Sequence, residues 1–362
     1  MSDDNDEVTA EAPSDPAYRE GVSIWVWDDA GRFCFPRIGV EAVGAKWSDS
    51  FETAVCMARP DGTLLLVSAK DAPLPVADAQ GRPRVLGAGA LVFECVEPFD
   101  TWRVDFDGGV VRSDVERYLT GGVAKLRLGS GLEEVDLRVS IEARQVAPPW
   151  FQGTREPEGF HVVGERRFEQ LCAVTGTLAV DGGESTSFRG GGLRIHRKGG
   201  NRNDYGDFHG HTWASAWFPS GRAFGFIHYR SGPDGAPRYR EGWLLEGDEV
   251  VAARVEGTPW LRDVTASGED VSFTLRTATG EVTISGTTFA SSFRPPRPTT
   301  DDTTFPLLHS AIARYRWDHE EAFGMIERSS RLAGQDSRGR RNVDAGIATV
   351  APPSTGSVTP VM

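Results

Sequence analysis

The feature that most constrains this chain is the near absence of helical periodicity from Val22 onward. In its place come short runs of alternating apolar and polar residues, VSIWVWD, FCFPRIGVEAV, FETAVCMA and TLLLVSA, separated by turns such as DAGR and RPDG. Gly and Asp in these turns tolerate the positive φ that tight reversals need. Turns recurring about every eight to twelve residues predict antiparallel barrels or sandwiches and argue against βαβ units. Read to its end, the chain yields about sixteen to twenty strands, more than one small barrel takes. The expected fold is all-β, with two consecutive antiparallel β-barrels. A divide near Gly182-Gly183-Glu184-Ser185 gives units at 18–184 and 185–330, with disordered tails at 1–17 and 331–362.

Composition narrows the class of partner. Of 362 residues 39% are hydrophobic, yet no apolar run approaches the ~18 to 20 residues of a membrane helix, so no stable membrane insertion is expected. The first sixteen residues carry six acids and no base. Such a segment is no secretory signal and is expected to be disordered, which leaves a cytoplasmic location by default. A formal net charge of −13 argues against nucleic acid and anionic lipid surfaces, which select basic patches. Cys34, Cys56, Cys95 and Cys172 show no CxxC spacing and read as reduced, mostly buried thiols. Composition does not bear on oligomeric state.

Chemistry concentrates between Phe188 and Arg230, where four of the seven histidines fall. With a period of two, HTWASAWF places His211, Trp213, Ser215 and Trp217 on one strand face. After the Pro219-Ser220-Gly221 turn, RAFGFIHY places Phe224, Phe226 and His228 together. This predicts a hairpin with an aromatic and imidazole face, suited to the inside of a barrel or sandwich that holds an apolar ligand. His209 and His211 are candidate proton-transfer groups, with Asp204 as acid or histidine orienter and Asp207 close by. Arg194 and His196 form a polar end, Trp213 and Trp217 aromatic walls, and His228 and Glu241 further ligand contacts. The plainer reading is barrel filling by the tryptophans and histidines satisfied at strand ends. His209-x-His211, joined by His196 or His228, has metal-ligand spacing, but Ser215 and Ala216 stand where a cupin-like glutamate belongs, so no metal is expected.

Longer stretches carry a resemblance. ECVEPFDTWRVDFDG at 94–108, VDLRVSIEARQVAPPW at 135–150, FEQLCAVTGTLAVDG at 168–182, GGGLRIHRKGGNRND at 190–204 and ARYRWDHEEAFGMIERS at 313–329 occur in that order. Together they resemble the two-domain lipocalin-like family of AttH-like proteins, hydroxyneurosporene synthase (carotenoid 1,2-hydratase) and decalin-forming cyclases. The resemblance implies two consecutive lipocalin-like β-barrels, no organic cofactor, and an apolar ligand in or between the barrels. The family's Arg-Asp-His-Ser-Trp-Gly run and later Arg-Asp are answered by Arg194, His196, Gly199, Arg202 and Asp204. Ile195, Arg197 and Lys198 depart from it, and Ile195 removes a proton donor. What the resemblance implies for function is a cofactor-independent enzyme of hydratase/lyase or isomerase/cyclase type. Its substrate would be isoprenoid-, steroid- or polyketide-like, and its chemistry acid/base hydration, isomerisation or cyclisation. The alternatives are a non-catalytic carrier of lipids or hydrophobic small molecules and, further off, a metal-dependent enzyme using the histidines.

Overall fold

The structure is a computed structural model, and it describes residues 6–117, 128–152, 166–199, 208–231, 238–262, 264–294, 297–298 and 304–330. The alternating runs become antiparallel strands. First come β1 (Arg19–Asp28), β2 (Cys34–Val43), β3 (Phe51–Ala58), β4 (Thr63–Asp71), β5 (Val85–Ala88), β6 (Leu91–Glu97), β7 (Thr101–Asp114), β8 (Glu134–Gln145), β9 (Trp150–Phe151), β10 (Arg166–Val180) and β11 (Thr186–Gly199). They form one sheet in the order β4-β3-β2-β1-β11-β10-β8-β7-β6-β5, with β9 on β10. Because β4 also pairs with β7, Leu64 lying opposite Ser113, the path from β4 to β7 returns on itself. Next come β12 (His211–Trp217), β13 (Ala223–Tyr229), β14 (Arg240–Glu246), β15 (Glu249–Glu256), β16 (Phe273–Arg276), β17 (Glu281–Arg294), β18 (Arg297–Pro298), β19 (Thr304–Phe305), β20 (Leu307–Trp317) and β21 (Glu320–Ser330). Here β12-β13-β14-β15-β16-β17-β20-β21 close a second barrel, and β18 pairs with β19. The turn expected to divide the chain, Gly182-Gly183, joins β10 to β11, and both strands pair in the first sheet. Pairing passes to the second barrel between Gly199 and His211.

Apolar side chains collect in three layers, and the strands of the contact region contribute to two of them. On β1, Val22, Ile24 and Val26 pack inside the first barrel with Val104, Phe106 and Ile141. Trp25 and Trp27 point the other way and join Trp213, Ile227, Trp243 and Met325 in a layer between the barrels. Inside the second barrel lie Ala214, Ala216, Phe224, Phe226, Phe273 and Tyr315.

Two expectations are corrected by this packing. In the β12–β13 hairpin Trp213 lies opposite Ile227 and Ala214 opposite Phe226. The register therefore sends Trp213 and Trp217 outward, to the layer between the barrels, while Phe224 and Phe226 fill the second barrel; the single aromatic and imidazole face is split. Nor is the acidic N-terminus a solvated tail from Asp6 onward. Asp6 and Val8 are buried, and Val8 N donates to Pro83 O at 2.9 Å. Buried cations in the first barrel draw this strap in.

Candidate active site between the barrels

The histidines that the sequence crowds together are dispersed among separate compartments. His196 and Arg194 project into the first barrel, where they hold the N-terminal strap. Arg194 Nη1 donates to Asp6 Oδ1 at 2.6 Å and Nη2 to Oδ2 at 3.1 Å. Trp102 Nε1 and Phe99 N donate to Oδ2 at 3.0 and 2.6 Å. His196 stands between two acids, Nδ1 3.3 Å from Asp6 Oδ1 and Nε2 2.9 Å from Glu20 Oε1. Burial pushes the Asp6 carboxyl up, but Arg194 and His196 outweigh it and hold the group well below the usual carboxylate range. Acids of the chain itself thus take up both of these expected ligand contacts.

His228 lies toward one end of the second barrel, its Nδ1 2.7 Å from Thr258 Oγ1 and its ring 4.8 Å from that of Trp260. Burial, with Arg240 nearby, lowers it to about 4, so it is neutral at physiological pH. On the same face of β20 and β21, His309 Nδ1 accepts from Arg328 Nε at 3.1 Å, and Arg328 also pairs with Glu269. Half-buried His209 precedes β12 and joins none of these networks among the described residues. Asp204 and Asp207 lie outside the described residues.

The layer between the barrels gathers the remaining expected residues, His211, Trp213, Trp217 and Glu241, and adds others that period and spacing do not single out. Glu169 sits on β10 opposite Ile195, facing away from the first barrel's core. Trp213 Nε1 donates to its Oε2 at 2.7 Å, Arg167 Nη2 to its Oε1 at 3.3 Å, and Gln152 Nε2 also donates to Oε1. Burial pushes the Glu169 carboxyl up to about 8, with Glu241 adding repulsion, against the pull of Arg167 and Trp213. Glu241 accepts from Trp150 Nε1 at 3.3 Å and from the Tyr239 hydroxyl. Two carboxyl groups, one from each barrel, therefore share a buried region.

Aromatic rings wall that region. Trp25 and Trp213 meet edge to face with centroids 4.9 Å apart, and Trp150 and Trp243 do so at 6.0 Å. The Arg167 guanidinium lies 4.6 Å from the Trp213 ring centroid. Three buried polar atoms here, Trp25 Nε1, Trp243 Nε1 and Ser215 Oγ, have no hydrogen-bond partner among the described residues. A Cβ on Gly225 would fall 2.6 Å from Trp243 Nε1 and 2.9 Å from Ser215 Oγ, so only glycine lets these two groups stand so close over the strand.

At the edge of the layer His211 is clamped by β21. Its Nδ1 lies 2.6 Å from Ser329 Oγ and its Nε2 3.2 Å from Glu327 Oε1, while Ser310 donates to Glu327 Oε2 at 3.2 Å. Gly210, at φ 127°, permits this approach, because a side chain there would run into the Ser329 carbonyl. Burial pushes the Glu327 carboxyl up, yet His211, Arg37 and Arg167 bring it down to about 2. An ionised Glu327 and a carboxyl near neutrality at Glu169 thus flank Arg167. The set can give or take a proton beside an apolar surface. No group of three His, Cys, Asp or Glu side chains positioned to hold a metal occurs among the described residues.

The sequence matches, over residues 3–331, the family described as Domain of unknown function (DUF7064). No curated protein matches by sequence. Among solved structures, an AttH-like protein of Nitrosomonas europaea is 14% identical with a TM-score of 0.55, covering 90% of this chain and 99% of that one. CghA crystallised with Sch210972 is 14% identical with a TM-score of 0.55, covering 87% of this chain and 89% of that one. A kievitone hydratase from Nectria haematococca stands further off, 10% identical with a TM-score of 0.48, covering 90% and 93%. The kinship with AttH-like proteins expected from the sequence holds at the level of fold.

Proposed function

The chain belongs to the DUF7064 family and shares the fold of the AttH-like proteins, and on that premise we propose that it is an enzyme acting on an apolar small molecule held between its two barrels. The reaction class is proton transfer to or from an isoprenoid-, steroid- or polyketide-like skeleton, as in hydration, isomerisation or cyclisation. One observation carries this reading: Glu169, a fully buried carboxyl pushed up to about 8, accepts a hydrogen bond from Trp213 of the edge-to-face pair Trp25 and Trp213. A carboxyl poised near neutrality donates and accepts a proton with similar ease. Tryptophan faces stabilise positive charge developing on a carbon skeleton, and the apolar layer excludes water. Glu169 is the proposed proton donor, in place of the acid that Ile195 removes from the family run. Glu241 is the facing carboxyl, and His211 with Glu327 fixes the charge at the edge. Trp213 and Trp217 keep their expected roles as walls.

Two measurements test this. Difference infrared spectroscopy at pH 7 should show the carbonyl stretch of a protonated carboxyl that disappears in Glu169→Gln; an ionised Glu169 at pH 6 would sink the reading. Once a turned-over compound is found by screening polycyclic and isoprenoid compounds, Glu169→Gln should still bind it and lose turnover by about a hundredfold or more. Unchanged conversion would remove Glu169 from the chemistry, and compounds that the native chain binds without converting would assign it to the carriers.

A further inference from the structure

The layer between the barrels holds cations that proton transfer does not use. Arg37 on β2 lies opposite Cys56 of β3, and Cys56 in turn meets Ser292 of β17. Arg37 keeps part of its surface, yet its Nε is sealed from solvent without a hydrogen-bond partner. The largest charge acting on it is another cation, Arg294 at the end of β17, followed by Glu327, Arg197 and Glu41. Both carboxylates are already committed: Glu327 to His211 and Ser310, and Glu41 to Arg197 at 2.6 Å and Arg19 at 3.0 Å. Neither Arg37 nor Arg294 forms an ion pair among the described residues. Burial and the neighbouring cations push the Arg37 guanidinium down to about 9.

A guanidinium whose Nε is sealed from solvent without a partner is costly, and a second half-buried cation beside it adds repulsion in a chain whose net charge is −13. A fold tolerates such a pair where something else brings the negative charge. We infer that the molecule held between the barrels carries an anionic head, of carboxylate class, which Arg37 and Arg294 receive while its apolar body lies against Trp25, Trp213 and Trp243. Planar guanidinium presents paired donors that match a carboxylate, and a partly sealed setting strengthens that contact. The inference rests on the reading of this layer as the ligand site and narrows its substrate class to apolar acids.

The test compares benzoate with its neutral isostere benzamide in thermal unfolding of the full chain. Benzoate at tens of millimolar should raise Tm by about 2 °C or more, and benzamide should not. Arg37→Met and Arg294→Met should each weaken the benzoate response, and Glu169→Gln should keep it. That last arm separates the anion site from the proton donor, since either can fail alone. Without ligand, Arg37→Met should melt higher than the native chain, because it removes a half-buried charge that has no ion pair among the described residues and faces Arg294. The inference is overturned by a native chain that does not distinguish benzoate from benzamide, by a response that survives both arginine changes, or by an Arg37→Met that melts lower.

Discussion

At the scale of single residues, Glu169 decides the pH behaviour. Folded, it titrates at about 8; unfolded, at the ordinary 4.5. Between those values the unfolded chain binds fewer protons, so stability contributed by this residue falls as pH rises and levels off above about 8. Glu169→Gln should therefore gain Tm over the native chain steadily from about pH 5 to about pH 8, and parallel curves would refute the buried acid. Glu327 runs the other way. Held at about 2 against an ordinary 4.5, it stabilises above 4.5 and loses that contribution as pH falls toward about 2. His211→Ala should accordingly shrink the acid-induced loss seen by circular dichroism below about pH 4. Half of this pair is legible in the sequence: His211 stands out by its spacing, while Glu327 comes near the end of the strand EEAFGMIERS, where nothing in the pattern marks it as buried. Glu169 falls within FEQLCAV, which reads as an ordinary strand. The available signal is an acid set between Phe168 and Leu171, ahead of the apolar run LCAV, since an acid drawn into such a strand must be solvated, paired or protonated.

At the scale of elements, the N-terminal strap and the strand faces show what alternation does and does not convey. Period two separates the faces of β1 and β12, but both faces are apolar, and alternation alone cannot say which lines a barrel and which meets a neighbour. Composition makes the strap a tail, because it weighs acids against hydrophobics and knows nothing of a buried cation 188 residues away. Asp6→Ala should cost about 3 to 5 kcal/mol in denaturant unfolding, because it leaves Arg194 and His196 buried beside an empty partner position. Glu11→Ala, on an exposed residue of the same segment, should change stability by less than about 0.5 kcal/mol. Equal effects of the two would mean that the strap is not docked.

At the scale of the whole molecule, the tryptophan-rich layer joins the two barrels into one cooperative unit. Trp25 and Trp27 from the first barrel and Trp213 and Trp243 from the second share it, so calorimetry of the native chain should show one unfolding transition. Trp213→Ala removes the ring that meets Trp25 and the donor to Glu169, and should cost about 3 to 5 kcal/mol while separating the transition into two. A native chain that already melts in two steps would show that the layer does not couple the barrels. The pairing of β1 with β11 carries a further consequence, in time. Arg19 finds its partner only at Gly199, so a nascent chain growing at about 5 to 20 residues per second leaves the free edge of β1 open for roughly 10 to 40 s. The first barrel therefore closes on the last of its strands to be made. Its rate of folding is governed by that one long loop, and the strap that holds Arg194 can lock only after it.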